Sequence, residues 1–418
     1  MLARIAGAAL GLTIAACGVA AAAAPEAGPS VLDRLQAALD GHLAERRALE
    51  HLTGLGLHLS LGEPGPVIEL HAGTVSEAPG AAPISGDTLF QIGSNTKAFT
   101  AATILKLEER GALAVDQTVG DWLPEYPAWG GVTIRRLLDM TSAIPNYSET
   151  VRMGEIEAAD PQHQWTPEAL VAAAYPAPGN ELPVHEGWDY SNTNYVLAGM
   201  IAERAGKAPF AELLHELVLA PAGLRDTHYA PGPYPQAVLA RTASGYFFNA
   251  ACLDYQPPGC KESPLASLMG KDMRDNNLSW ALGAGGIVAS LRDVSRWVRV
   301  LLGGRLLAPA QQAELTKLVS TKTGRPIDTT TEGDPRGFGL GVAQMFHPGM
   351  GRAWFYEGET LGYRVVFFYL PEEDLVVTLG ANSQPPADQD KMGALAVQVH
   401  GILKATGTVP CCRAAAAP

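Results

Sequence analysis

Phe90-Gln91-Ile92-Gly93-Ser94-Asn95-Thr96-Lys97 is the stretch that most constrains what this chain can become. It sets a serine hydroxyl and a lysine amine three residues apart, where an apolar helix is predicted to begin. On a helix that spacing puts both side chains on one face, within reach of each other. A serine beside an amine is the minimum for an activated nucleophile. The helix start adds free backbone N–H groups and the positive end of the helix dipole, both suited to a developing oxyanion. Desolvated against the helix core, Lys97 would titrate low enough to take the serine proton. The rest of the chain must supply a core that buries this pair and partners that complete it.

Material for the core is ample: 418 residues, 47% hydrophobic and 17% charged. That length fits one large domain or two to three smaller ones. Acidic residues outnumber basic ones 43 to 30, a formal net charge of −13. Such a surface repels phosphate backbones and anionic headgroups, so nucleic acid and peripheral membrane partners are not expected.

Residues 1–24 read as a secretory signal, with Arg4 ahead of an apolar run from Ile5 to Ala16. Ile14-Ala15-Ala16-Cys17 fits the pattern at which bacterial lipoproteins are cleaved, which would leave a lipid anchor on Cys17. The rival reading is ordinary cleavage within Ala20 to Ala24. Either way the expected location is extracytoplasmic, periplasmic or secreted. Gly18 to Ser30 reads as a tether. In an oxidising compartment Cys252 and Cys260 would close a small Pro- and Gly-rich loop, while Cys411-Cys412 falls in a tail over 406–418. None of the four has metal-site spacing, and no metal or organic cofactor is expected.

Helical periodicity covers Val31 to Leu49, and Leu55 to Leu61 and Pro66 to His71 read as strands. The helix after Ser94 runs to about Arg110, with Gly111 as its stop. From Asp116 to Asn277 the pattern is helices and long loops, including a helix from Asn192 to Gly206, another over Phe210 to Leu219, and a Pro- and Gly-rich passage from Pro231 to Asn277 placed to form a lid. Ser290 with Asp293 resembles a capping box ahead of Val294, Trp297, Val298 and Leu301. Tyr363 to Leu370 and Leu375 to Gly380, joined by Pro371-Glu372-Glu373-Asp374, make the clearest hairpin, and a last helix spans Asp390 to Lys404. Strands at both ends with helices between predict a sheet built from the two termini: 31–110 and 283–405 form an α/β half, and 111–282 a helical half.

Two further polar groups suit the Ser94 pair. In Tyr190-Ser191-Asn192, at a loop-to-helix junction, the tyrosine would shuttle protons and the Asn192 amide would hold Lys97 or a substrate carbonyl. The ordered set then resembles a known family, the serine β-lactamase and penicillin-binding-protein superfamily, in its class C β-lactamase-like branch with D-alanyl-D-alanine carboxypeptidases and esterases. Ser94-Asn95-Thr96-Lys97 matches the S-x-x-K motif and Tyr190-Ser191-Asn192 the Y-x-N motif. Leu137-Leu138-Asp139-Met140-Thr141-Ser142-Ala143-Ile144-Pro145 looks like the branch's Leu-Leu-x-His-Thr-Ser-Gly-Leu-Pro, and Pro221-Ala222-Gly223-Leu224-Arg225-Asp226-Thr227 its Pro-Leu-Gly-Met-x-Asp-Thr. The Ala284-Gly285-Gly286 turn and the strand ending at Asn382 fit as well. What the resemblance implies is an α+β fold of the β-lactamase/transpeptidase-like kind, an antiparallel sheet flanked by helices plus a mostly helical insertion domain. It also implies an acyl-enzyme on Ser94, with Lys97 and Tyr190 sharing the proton and Asn192 contacting substrate.

The third motif departs from the pattern. Where the family carries Lys-Thr-Gly or His-x-Gly, this chain has Tyr356-Glu357-Gly358, then Glu359. Gly358 keeps the bare backbone that close substrate approach requires, and the resemblance makes the Glu359 backbone N–H the second oxyanion donor. Tyr356 offers a hydrogen bond but no charge for a substrate carboxylate, and stands equally for strand packing. Ester or D-amino-acid peptide substrates therefore rank above β-lactams. Two other readings stay open: a weak or inactive relative that binds cell-wall fragments or a protein partner, and a class C-type β-lactamase. The bland readings are a capping serine, a solvated lysine, a core tyrosine and a capping Asn192; the ordered flanking segments weigh against them. His215-Glu216 lacks the second histidine of a zinc protease, no G-x-S-x-G elbow is present, and His185, His228 and His347 read as surface or core residues.

Overall fold

The computed structural model describes residues 29–409, so the predicted leader, Cys17, Cys411 and Cys412 lie outside the described residues. Among the described residues no helix is long and apolar enough to cross a membrane. A nine-stranded sheet forms the backbone of the molecule. Its order runs Val67–Gly73, Gly54–Leu61, Leu375–Ala381, Tyr363–Leu370, Gly351–Thr360, Ala343–His347, Arg336–Phe338, Leu318–Ser320 and Pro326–Ile327. Every neighbouring pair is antiparallel, and the first strand of the chain pairs with the last long one, Leu57 opposite Leu379.

The central strands are apolar on both faces because both are covered. Successive side chains point to opposite sides, so Val366 and Phe368 pack outward with Leu395 and Val399 of helix Met392–Ala405 and Leu35 and Leu39 of helix Val31–Glu50. Val365 and Phe367 pack inward with helices Thr96–Glu109 and Leu291–Leu302, where Phe99 stacks on Trp297 at 4.0 Å between ring centroids. Helix Leu291–Leu302 lies close on the sheet: a Cβ at Gly56 or Gly380 would meet Leu291 at 2.8 and 2.7 Å. Burying these faces, at roughly 1.5–3 kcal/mol per large apolar side chain, drives the fold.

Between the sheet-forming ends lie helices and loops. A three-stranded sheet of Leu89–Gln91, Ile287–Ser290 and Thr227–Tyr229 joins this part to the rest. Helix Asn192–Gly206, with ten buried residues, packs along Thr96–Glu109. Two expectations are adjusted. Phe210–Leu219 leaves α geometry at His215 and continues as a π-turn. Ser290 caps its helix by accepting from the Asp293 N–H at 3.2 Å, but Asp293 does not reciprocate; its carboxylate accepts from the Asp226 N–H and Thr227 hydroxyl instead, tying down the short strand. The Pro231–Asn277 passage is stapled by a Cys252–Cys260 disulfide and anchored where the Phe248 N–H donates to the Gln384 carbonyl.

Arg364 joins the two outer helices to the sheet. Fully buried, it pairs with Glu50 at 2.8 Å and Asp390 at 2.6 Å and donates to the Ser383 carbonyl at 2.8 Å. Removing one partner of a buried ion pair leaves the others desolvated and uncompensated. Arg364→Met is therefore expected to lower the unfolding free energy by about 3–5 kcal/mol, read as a lower urea midpoint at unchanged slope. A change under about 1 kcal/mol would mean the carboxylates regain water.

Candidate active site

Between Thr88 and Leu105 every residue is buried except Ser94. Ser94 does not open the α-helix itself; it sits in a single 3₁₀ turn, Gly93–Asn95, and the α-helix starts at Thr96. The turn is held from three sides. The Ile92 N–H donates to the Ile287 carbonyl at 3.0 Å, the Thr96 hydroxyl accepts from the Ile287 N–H at 3.2 Å, and the Asn95 amide donates to the Val365 carbonyl at 2.8 Å.

The strand carrying the third motif crosses this turn at backbone contact distance. A Cβ at Gly358 would lie 1.9 Å from the Ile92 carbonyl oxygen, and one at Gly93 2.5 Å from the Glu359 nitrogen. Gly93 also holds φ at +51°, in the left-handed region. Both glycines are thus required sterically, and the Glu359 backbone N–H is brought against the nucleophile's turn, where a second oxyanion donor belongs.

The predicted polar residues converge. Ser94 Oγ lies 2.5 Å from the Tyr190 hydroxyl and 3.0 Å from Lys97 Nζ. Lys97 Nζ also donates to Asn192 Oδ1 at 2.7 Å and to the Ala284 carbonyl at 2.8 Å. Asn192 begins its helix but does not cap it; its side chain bridges from Lys97 to Ser148 Oγ, 3.0 Å away, and its N–H donates to Asn146 Oδ1 at 3.0 Å. Lys97 is fully buried, with no carboxylate partner among the described residues, and its amine lies over the Tyr190 and Tyr195 rings at 4.7 and 5.5 Å from their centroids. Desolvation holds it well below the usual lysine range. A neutral amine has two donors and one lone pair. In that form the two carbonyl oxygens would take the donors and leave the lone pair for Ser94, the arrangement of a general base. Burial pushes Tyr190 up to about 12, against the hydrogen bond from Ser94, so it rests as a phenol, suited to donate to Ser94 Oγ and then to a leaving group.

Tyr356 places an uncharged phenol where the family motif carries a cation. It is buried against Phe338, and its hydroxyl has no hydrogen-bond partner among the described residues although it lies beside Tyr190. Burial raises it well above the usual phenol range, so it presents a neutral donor at the edge of a cavity of about 210 Å³ with Trp188, Phe338 and Phe355. Glu359 is exposed, its carboxylate accepting from Gln384 Nε2 at 2.9 Å.

Some contributors escaped the sequence reading. Ser148 and Asn146 position Asn192, and only the adjoining Leu137–Pro145 segment hinted at them. Met140 and Ala143 both take positive φ, +63° and +59°. Ala143 therefore holds, with strain, a conformation glycine adopts freely, as at its place in the family's motif.

Residues 45–401 match the family model described as Beta-lactamase, most of the chain. The chain belongs to that family. Within it, the chain is 27% identical over 307 residues to Penicillin-binding protein 4* of Bacillus subtilis, covering 72% of this chain and 62% of that one. It is 34% identical over 209 residues to Esterase EstB of Burkholderia gladioli, covering 47% and 51%. The chain thus spans 62% and 51% of the lengths of these two relatives. The crystal structure of D-amino acid amidase from Ochrobactrum anthropi SV3 superposes with a TM-score of 0.71 at 24% identity, over 90% of this chain and 99% of that one, a likeness of fold alone.

If Lys97 is the base, the rate constant for Ser94 acylation should fall as pH drops through the lysine's lowered pKa, because protonation removes the acceptor. Lys97→Ala should lose roughly 10²–10⁴-fold in kcat/KM together with that acidic limb. A variant that keeps the wild-type pH profile would assign the limb elsewhere. Tyr190→Phe should slow anilide cleavage more than nitrophenyl ester cleavage, since an anilide leaving group needs the proton more; equal losses would exclude Tyr190 as that donor.

Proposed function

We propose that this member of the Beta-lactamase family is an exported serine hydrolase that cleaves uncharged esters or amides through an acyl-enzyme on Ser94. The observation that carries this is the assembled Ser94–Lys97–Tyr190 triangle, with Lys97 held by two carbonyl oxygens and its amine 3.0 Å from the serine hydroxyl. Ser94 Oγ attacks the carbonyl carbon as its proton passes to Lys97 Nζ. The Ser94 and Glu359 backbone N–H groups hold the oxyanion, and Tyr190 protonates the leaving group as the tetrahedral adduct collapses. Its own proton is restored from Lys97. Water then repeats the sequence to release the acyl group.

Names among the relatives, a penicillin-binding protein and an esterase, support hydrolysis of acyl compounds. The Cys252–Cys260 disulfide supports export, since such bonds persist in oxidising compartments. Tyr356 argues for esters and neutral amides over β-lactams, because a buried phenol gives a substrate carboxylate no counter-charge.

A fluorophosphonate should form a single adduct that mass spectrometry locates on Ser94, and Ser94→Ala should reduce turnover of a nitrophenyl ester to background. An unlabelled Ser94, with the variant hydrolysing like wild type, would leave an inactive binding relative. The neutral nitrophenyl ester should also exceed a chromogenic cephalosporin in kcat/KM; the reverse order would return the β-lactamase reading.

A further inference from the structure

The loop closed by the Cys252–Cys260 disulfide carries none of the residues that do the chemistry, yet a chain of hydrogen bonds joins it to them. A cavity of about 240 Å³ lies beyond Asn192, with Cys252 and Leu253 of the loop, Glu149 and Glu157 among its walls. At its edge the loop grips the turn that runs from Asn146 to Glu149, and it does so at three points. The Tyr255 hydroxyl accepts from the Asn146 N–H at 3.0 Å. The Tyr255 N–H donates to the Glu149 carbonyl at 3.3 Å, and the Asp254 N–H to the Glu149 carboxylate at 3.2 Å. Asn146 is buried and passes this hold inward: its side-chain oxygen accepts from the Asn192 N–H and from the Ser148 hydroxyl, both at 3.0 Å. Ser148 Oγ in turn accepts from the Asn192 amide at 3.0 Å, and Asn192 Oδ1 accepts from Lys97 Nζ at 2.7 Å. Asn192 therefore meets the lysine with both its backbone and its amide nitrogen fixed from the Asn146 side.

We infer that Tyr255 is a positioning residue for the hydrolysis proposed above: held by the disulfide-closed loop, it fixes Asn146, and through Asn146 and Asn192 it fixes the lysine that activates Ser94. The inference rests on that hydrolase reading. The loop keeps a shape of its own, as a brace must. Gln256 Oε1 accepts from the Leu253 N–H at 2.7 Å, the Cys260 N–H donates to the Pro257 carbonyl at 3.2 Å, and the disulfide ties the two ends together. Tyr255 is half-buried, and burial raises its hydroxyl above the usual phenol range, so it stays a neutral acceptor at any working pH. Without that acceptor the Asn146 N–H is left unmade in a buried turn, which is costly enough to shift the turn or draw water into it. A general base acts only within hydrogen-bond reach of the proton it takes, so a shift passed on to Lys97 costs rate.

The test reads the reactivity of Ser94 directly, as the second-order rate constant for fluorophosphonate labelling, in proteins shown by circular dichroism to be folded. Tyr255→Phe keeps the ring and deletes the acceptor; it should slow labelling by roughly three- to tenfold, the worth of one hydrogen bond. In an Asn192→Ala background the same substitution should cost less than about twofold, because the residue it acts through is gone. Equal losses in both backgrounds would leave Tyr255 a merely structural role, and a Tyr255→Phe protein labelled as fast as wild type would detach it from the site. Either result overturns the inference. A second variant, Cys252→Ser with Cys260→Ser, releases the loop and leaves every residue of the site in place. It should also slow labelling, and adding Tyr255→Phe to it should cost less than in the disulfide-bonded protein; a wild-type rate there overturns the loop's part. Each of these failures leaves the hydrolase reading intact. Wild-type protein that is not labelled at Ser94 overturns that reading, and this inference with it.

Discussion

A buried amine with no carboxylate beside it is the constraint on which the site depends. Lys97 is fully enclosed, and desolvation penalises its charged form. Its surroundings hold hydrogen-bond acceptors and aromatic faces but, among the described residues, no opposing charge: two carbonyl oxygens, a serine hydroxyl and two tyrosine rings. The partners come from separate parts of the chain, Asn192 from the helical region and Ala284 from the turn that leads back to the sheet. Any change that loosens the packing of Thr96–Glu109 against Asn192–Gly206 would readmit water and relieve the desolvation that lowers the lysine's pKa.

The same economy of space sets the oxyanion side. Gly93 and Gly358 are where two backbones touch, and a methyl group on either would force strand and turn apart. Electrostatics then separates the neighbouring surfaces. Around Tyr356 the wall is largely aromatic, with Arg336 and Glu357 at its margin, whereas the cavity beyond Asn192 carries carboxyl groups and no basic side chain. A phenol at this motif position leaves the nucleophile undisturbed, because Tyr356 contributes packing against Phe338 and no bond to Ser94 or Lys97.

Several elements were readable in one dimension because their causes are local. The Ser94–Lys97 spacing, the glycine stop at Gly111, the Tyr363–Leu370 and Leu375–Ala381 hairpin and the Ser290 cap depend on residues close in sequence. The placement of Ser94 in a 3₁₀ turn was not readable, since bonds to Ile287 and Val365 impose it. Asp293 carried a capping-box pattern, yet tertiary partners at Asp226 and Thr227 outbid the local one. Glu149 and Glu157 drew no notice, because nothing in sequence sets a carboxylate in a cavity wall apart from one on a solvated helix.

What the sequence determined by itself was the chemistry available: a serine, an amine, a phenol and an amide in family order, bare backbone at Gly358, and the absence of a cation at Tyr356. Composition and periodicity also dictated a sheet assembled from the two ends of the chain. Only the tertiary structure decided which groups are desolvated and which oxygens are left without partners. Protonation and recognition depend on burial and on distances of a few ångströms, and those are set by packing between segments far apart in the chain. The nucleophile was written in the order of residues; the desolvated lysine beside it and the acid-lined cavity next to it exist only once the chain has closed around them.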